Sequence, residues 1–248
     1  MSGAELFQVD HGDDLTVLRI HAPPSGLSFT DAKAMEHLWR ILDAVAFRKP
    51  KVLLLLTEEG LFSPTRVEQT WREILQKWTS RSTLPPEIYA ARTNLRKLIE
   101  YFKKSQMLCI GAVRGEVDFD LLGLFSACHY RICAKGTVFE NNVIDRLAPP
   151  GSAAVWFLTR LLGKAQALEL FLEGTSLNAD EARAIKFVNA VLPNESFEAD
   201  AIALAETFAD KPRQGIRSLV VAFNHSSLPM ADYLQEVGAG FDNIYKED

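Results

Sequence analysis

The chain reads as an α/β protein. Short apolar runs of strand length alternate with longer segments of helical periodicity, and turn-forming residues punctuate the junctions. Val52-Leu53-Leu54-Leu55-Leu56 is apolar at every position, the mark of a strand covered on both faces of a parallel sheet. Just before it, Ala34, Leu38, Leu42 and Val45 recur at helical spacing, which predicts an amphipathic helix over 31–47.

The elements follow in order. Leu15-Thr16-Val17-Leu18-Arg19-Ile20 alternates and predicts a strand with one wet face. His21-Ala22-Pro23-Pro24-Ser25-Gly26 is a turn-rich loop. Asp31 suits the positive end of the helix that follows. Helices are predicted over 68–79 and 88–103, separated by Leu84-Pro85-Pro86. A second buried strand spans 107–113, then come a short apolar helix over 121–128 and a strand over 130–134. Helices over 153–162 and 165–173 are each followed by glycine, Gly163 and Gly174. Asn178 with Glu181 three residues on approximates a capping box. A last extended segment covers 187–192. Helices fill most of the remainder, interrupted near Pro212 and Pro229. No solenoid repeat, low-complexity segment or clear linker is visible.

The bulk properties narrow the function. The 248 residues, 48% apolar and 24% charged, suit one soluble domain with a full core. A net charge of −5 gives no reason to expect nucleic acid. Cys109, Cys128 and Cys133 are an odd set without a CxxC and read as reduced core thiols of a cytoplasmic protein. Residues 1–11 are too polar for a signal peptide. The run 52–56 is far too short to span a membrane. The histidines show no metal-ligand spacing.

The order of motifs from Cys109 to Pro193 resembles the crotonase (enoyl-CoA hydratase/isomerase) superfamily. The stretch holds Cys109-Ile110-Gly111-Ala112-Val113-Arg114-Gly115, Ala127-Cys128-His129-Tyr130-Arg131-Ile132-Cys133-Ala134, Leu161-Leu162-Gly163-Lys164-Ala165 and Leu170-Phe171-Leu172-Glu173-Gly174. It closes with Ala179-Asp180-Glu181-Ala182 and Phe187-Val188-Asn189-Ala190-Val191-Leu192-Pro193. The resemblance implies a crotonase fold: repeated ββα units forming two roughly perpendicular sheets over 1–195, then a C-terminal helical oligomerisation region over 196–248. It also implies an acyl-CoA or acyl-thioester substrate and an enolate held by two backbone N–H groups. Coenzyme A is then part of the substrate and no separate cofactor is called for. The expected assembly is a homo-oligomer, trimer or hexamer.

The resemblance carries over residue by residue. His21 to Ser28 looks like the family loop RPPxNALS, placing Ser25, Gly26 and Leu27 along the CoA moiety. Leu61-Phe62-Ser63-Pro64-Thr65-Arg66-Val67 lies on AFSAGAD. Phe62 and Pro64 fall in the same CoA-contacting set, and Arg66 supplies the first oxyanion N–H. Asp118-Phe119-Asp120-Leu121-Leu122-Gly123 lies on LGGGLE, with Asp120 at the position of the second N–H. The two hydratase glutamates fall at Gly123 and Val143. Water addition needs one group to deprotonate water and another to protonate carbon, so those two positions cannot run it. Phe, Asp and Leu in place of three glycines also restrict the backbone that presents the second N–H.

The candidates carry alternatives. Asp118 and Asp120 are displaced acid/base groups, or solvated loop carboxylates with Asp120 capping a helix. Glu140 reaches the pocket, or pairs with a surface cation. The Arg66 guanidinium binds a carboxylate or phosphate, or points to solvent while its backbone acts. His129 reads as a hydrogen-bonded structural histidine. Two functions follow: oxyanion-hole chemistry such as isomerisation, decarboxylation or hydrolysis, with Arg66, Asp120, Asp118 and Glu140 at its centre, or a non-catalytic binding or scaffold subunit.

Overall fold

The computed structural model describes residues 6–22, 29, 31–78, 83, 85–119, 122–141, 144 and 153–246, the last seven as backbone only. The architecture is the α/β fold that the resemblance implies, with two sheets and a series of helices. A six-stranded sheet has the order β1-β2-β3-β4-β6-β9. Its strands are β1 (Phe7–His11), β2 (Leu15–Ile20), β3 (Val52–Thr57), β4 (Leu108–Val113), β6 (Tyr130–Ala134) and β9 (Ala190–Leu192). β1 and β2 form an antiparallel hairpin, and every later pairing in this sheet is parallel. A smaller sheet has the order β5-β7-β8, from β5 (Glu116–Asp118), β7 (Val138–Glu140) and β8 (Leu177–Asn178).

The apolar run in β3 is buried as predicted, Val52, Leu53 and Leu54 completely, because helices cover both faces of its sheet. On one face lie α1 (Ala32–Arg48), α3 (Pro86–Lys104) and the short α4 (Leu122–Ser126), sharing one apolar cluster with the small sheet. The other face is covered by α8 (Phe197–Ala209), through Phe197, Ala201 and Ala205 against Val52, Leu54, Ile110 and Ile132. The remaining helices are α2 (Pro64–Lys77), α5 (Ala154–Leu162), α6 (Lys164–Glu173), α7 (Ala179–Ala184), α9 (Arg213–His225) and α10 (Met230–Lys246). The breaks at Pro212 and Pro229 fall where the sequence puts them. No helix among the described residues is long and apolar enough to cross a membrane.

Three differences from the sequence reading bear on the site. The helix expected from Glu68 begins at Pro64, because proline has its φ preset for the first helical position and lacks only an N–H that a helix start leaves unpaired. The segment read as a loop around Asp118 contains a strand, β5. The extended segment 187–192 narrows to β9 at 190–192, since Lys186 turns through φ 64° and the Phe187 N–H returns to the Ala182 carbonyl at 2.9 Å.

Candidate active site

The site is built from the turn after β3, the first turn of α2 and the ends of β5 and β7. Gly60, at φ 81°, sits in that turn, a conformation that side chains rarely accept. Leu61 N–H bonds Glu58 O at 3.2 Å and Ser63 N–H bonds Gly60 O at 3.3 Å. Pro64 then opens α2 and Val67 N–H makes its bond to Ser63 O, at 3.0 Å. Arg66 is therefore the third helical residue. First-turn amides point out along the helix axis at its positive end, which favours negative charge placed there. Pro64 and Thr65, which replace Ala and Gly of the family motif, thus still place the Arg66 amide in a helix start. The Arg66 guanidinium lies over Gly60, 3.8 Å from where a Cβ there would stand.

β5 is tied to this turn through its last residue, whose amide, Asp118 N–H, donates to Phe62 O at 2.8 Å. Helix α2 also packs against β5. Asp118 is completely buried, which corrects the reading of it as a solvated loop carboxylate: strand pairing and the covering helix enclose it. β5 and β7 are parallel, with Asp118 in register with Glu140 and Val117 in register with Phe139. In-register neighbours about 4.8 Å apart project to the same face of a sheet. Val117 and Phe139 take the core face, so Asp118 and Glu140 share the opposite one. Two carboxylates 22 residues apart in sequence become neighbours.

Glu140 does not pair with a surface cation among the described residues. Its Oε2 accepts from Ser176 Oγ at 2.8 Å. Ser176 Oγ also receives the Asn141 N–H at 3.2 Å. The Asn141 side chain turns to the end of α6, donating to Leu170 O at 2.6 Å. Its Oδ1 is buried without a partner among the described residues. Sequence reasoning missed Ser176, and no local pattern marks it.

Bulky residues surround the same region. Phe119 is completely buried and meets Phe171 edge-on at 5.8 Å, so an aromatic ring stands where the family motif has its first glycine. Gly123 is buried in α4, with no side chain at the position of the first hydratase glutamate. Phe62, expected in the CoA-contacting set, turns its ring into an apolar cavity of about 40 Å³ lined also by Phe29, Gly111, Val113 and Phe125. Pro64 is buried as well. Glu58 Oε2 accepts the Ala22 N–H at 2.7 Å and so anchors the chain entering the predicted CoA loop. Ser25, Gly26 and Leu27 of that loop, Asp120 and Val143 lie outside the described residues.

The buried cysteines take no visible part. Burial pushes the Cys109 and Cys133 thiols up to about 12 and the Cys128 thiol up as well, which suppresses thiolate chemistry. His129 is the structural histidine predicted, bonded through both ring nitrogens.

Residues 75–236 match the family model described as enoyl-CoA hydratase/isomerase. The chain belongs to the enoyl-CoA hydratase/isomerase family. Over 209 residues it is 28% identical to a probable enoyl-CoA hydratase of Bacillus subtilis (strain 168), covering 83% of this chain and 77% of that protein. It is 26% identical over 131 residues to probable enoyl-CoA hydratase 2, mitochondrial, of Arabidopsis thaliana, covering 53% of this chain and 44% of that one. An enoyl-CoA hydratase structure from Bacillus anthracis superposes with a TM-score of 0.80 at 20% identity, covering 97% of this chain and 91% of the other. At that identity the likeness establishes the crotonase fold. On the alignment that the resemblance implies, Phe119, Asp120 and Leu121 stand at the glycine-rich turn, and Gly123 and Val143 at the two glutamate positions.

Proposed function

We propose that the protein binds an acyl-CoA or related acyl-thioester and moves a proton along its acyl chain, with isomerisation of an enoyl thioester as the reaction. The observation that carries this reading is the in-register Asp118–Glu140 pair, tied by the Asp118 amide to the turn that opens α2. Glu140 takes a proton from the carbon next to the carbonyl of a β,γ-unsaturated thioester. The electron pair moves onto the thioester oxygen, where the Arg66 and Asp120 amides hold the negative charge. The proton then goes to the γ-carbon, from Glu140 directly or through Asp118, as the double bond moves. No water is consumed, in keeping with glycine and valine at the hydratase positions. Decarboxylation suits the site less well, because an anionic acyl group would meet two carboxylates.

Proton removal can be tested without the natural substrate. Butyryl-CoA incubated with the protein in D₂O should gain deuterium at its α-carbon, followed by mass spectrometry. Glu140→Gln should slow that exchange by about 100-fold, the usual scale for losing a general base. An unchanged rate would remove Glu140 from the site.

The buried Phe119 ring favours a second reading, a non-catalytic binding or scaffold subunit whose pocket is partly filled. Calorimetric binding of butyryl-CoA without exchange would support that subunit, and no binding at millimolar ligand would sink the acyl-thioester reading. We also propose homo-oligomeric assembly, as trimer or hexamer, through α9 and α10. Phe223 and Met230 there are 67% and 74% exposed. A monomeric mass by light scattering would oppose it.

A further inference from the structure

We infer that Ser176 is a positioning residue for the Glu140 carboxylate, an inference that rests on the proton-transfer reading of the site. A hydroxyl has one proton to give. Ser176 Oγ receives the Asn141 N–H at 3.2 Å, so its own proton goes to Glu140 Oε2, at 2.8 Å. This fixes Oε2 as an acceptor and leaves Oε1 as the oxygen that takes and returns the substrate proton. A carboxylate held by one oxygen loses most of its rotational freedom, which places Oε1 before the substrate arrives.

The support beneath Ser176 is itself built. Asn141 Nδ2 donates to Leu170 O at 2.6 Å and to Thr175 O at 3.5 Å. The side chain after Glu140 therefore clamps both ends of the segment that delivers Ser176. Gly174 turns that segment through φ 63°, and a Cβ there would stand 3.4 Å from Asn141 O. Residues 140 and 141 at the end of β7 and residues 170–176 before β8 thus form one unit. Its hydroxyl faces the carboxylate that has Asp118 as its other neighbour across the sheet.

The test uses the full chain and butyryl-CoA exchange in D₂O, comparing Ser176→Val with Ser176→Thr. These two replacements have the same shape and differ in the hydroxyl, so a packing fault would affect both. Ser176→Val should lower the exchange rate at saturation by about 10- to 100-fold, the worth of a hydrogen bond to a charged group, with KM within about twofold. Ser176→Thr should stay within about threefold of the wild type. The inference is overturned if Ser176→Val exchanges like Ser176→Thr while Glu140→Gln is inactive, or if only KM moves. If Glu140→Gln exchanges as fast as the wild type, or the wild type does not exchange, the proton-transfer reading fails and this inference with it.

Discussion

His129 shows how one side chain couples the sheet to the C-terminal helices. The Cys109 N–H donates to its Nδ1 at 3.0 Å, so that nitrogen is an acceptor and the ring proton sits on Nε2. Nε2 donates to Asn224 Oδ1 at 3.0 Å, and Asn224 Nδ2 passes on to Ser105 O at 2.8 Å. Protonating Nδ1 would break the bond from Cys109. Burial pushes the imidazole down to about 4, with the Lys103 and Arg131 charges adding to it and the bond to Asn224 opposing it. In the unfolded chain it titrates near 6.5. Between those two values the unfolded state binds more protons than the folded one, so stability rises with pH there. The contribution is fully present above pH ~6.5 and is lost as the pH falls toward 4, at about 1.4 kcal/mol per pH unit at the steepest. Urea denaturation at several pH values should show that slope in the wild type and a shallower one in His129→Gln. Equal slopes would assign the acid sensitivity to other groups.

The helix ends show which signals are local. Asp31 Oδ1 accepts from Lys33 N–H at 2.8 Å and Ala34 N–H at 3.2 Å, so it caps α1 as well as bringing its charge to the positive end of the helix, the one role that the sequence suggests. Asp31→Ala should cost about 1 kcal/mol and Asp31→Asn almost nothing, as read from denaturation midpoints; equal losses would mean that charge rather than the cap matters. The Asn178–Glu181 capping box also forms as the sequence suggests. Such features need only a few consecutive residues, and so do the buried runs of β3 and β4. The small sheet is different. β5 and β7 are three residues each and β8 is two, too short to display an alternation. Their pairing brings 116–118 beside 138–140 and then 177–178, contacts that no window of sequence contains. Asp118 and Glu140 were legible as candidates from the resemblance. Their adjacency, the burial of Asp118 and the Ser176–Glu140 hydrogen bond were not, because all three arise from strand register.

At the scale of the molecule, the six-stranded sheet needs its second face closed by α8, and α9 must follow in place for Asn224 to reach His129. One ionic clasp joins these C-terminal helices to the start of β2 and β3. The Asp14 carboxylate pairs with Lys51 at 2.9 Å and with Arg213 at 2.5 Å. Lys51 Nζ also donates to Ala209 O at 2.8 Å, and Arg213 to Lys49 O at 2.6 Å. Asp14 and Arg213 are each more than a third exposed, so solvent screens the charge term and the clasp contributes about 1 kcal/mol or less. Asp14→Asn keeps the backbone bond from Val52 N–H to Asp14 O and leaves both cations their carbonyl acceptors. Its effect should therefore be local. Hydrogen exchange over 213–225 should quicken by up to about fivefold, the equivalent of that energy, while β3 and β4 keep their protection. Uniform acceleration across the sheet would mean that the clasp holds the whole fold; no change would mean that the carbonyl bonds and the packing of α8 hold α9 without it.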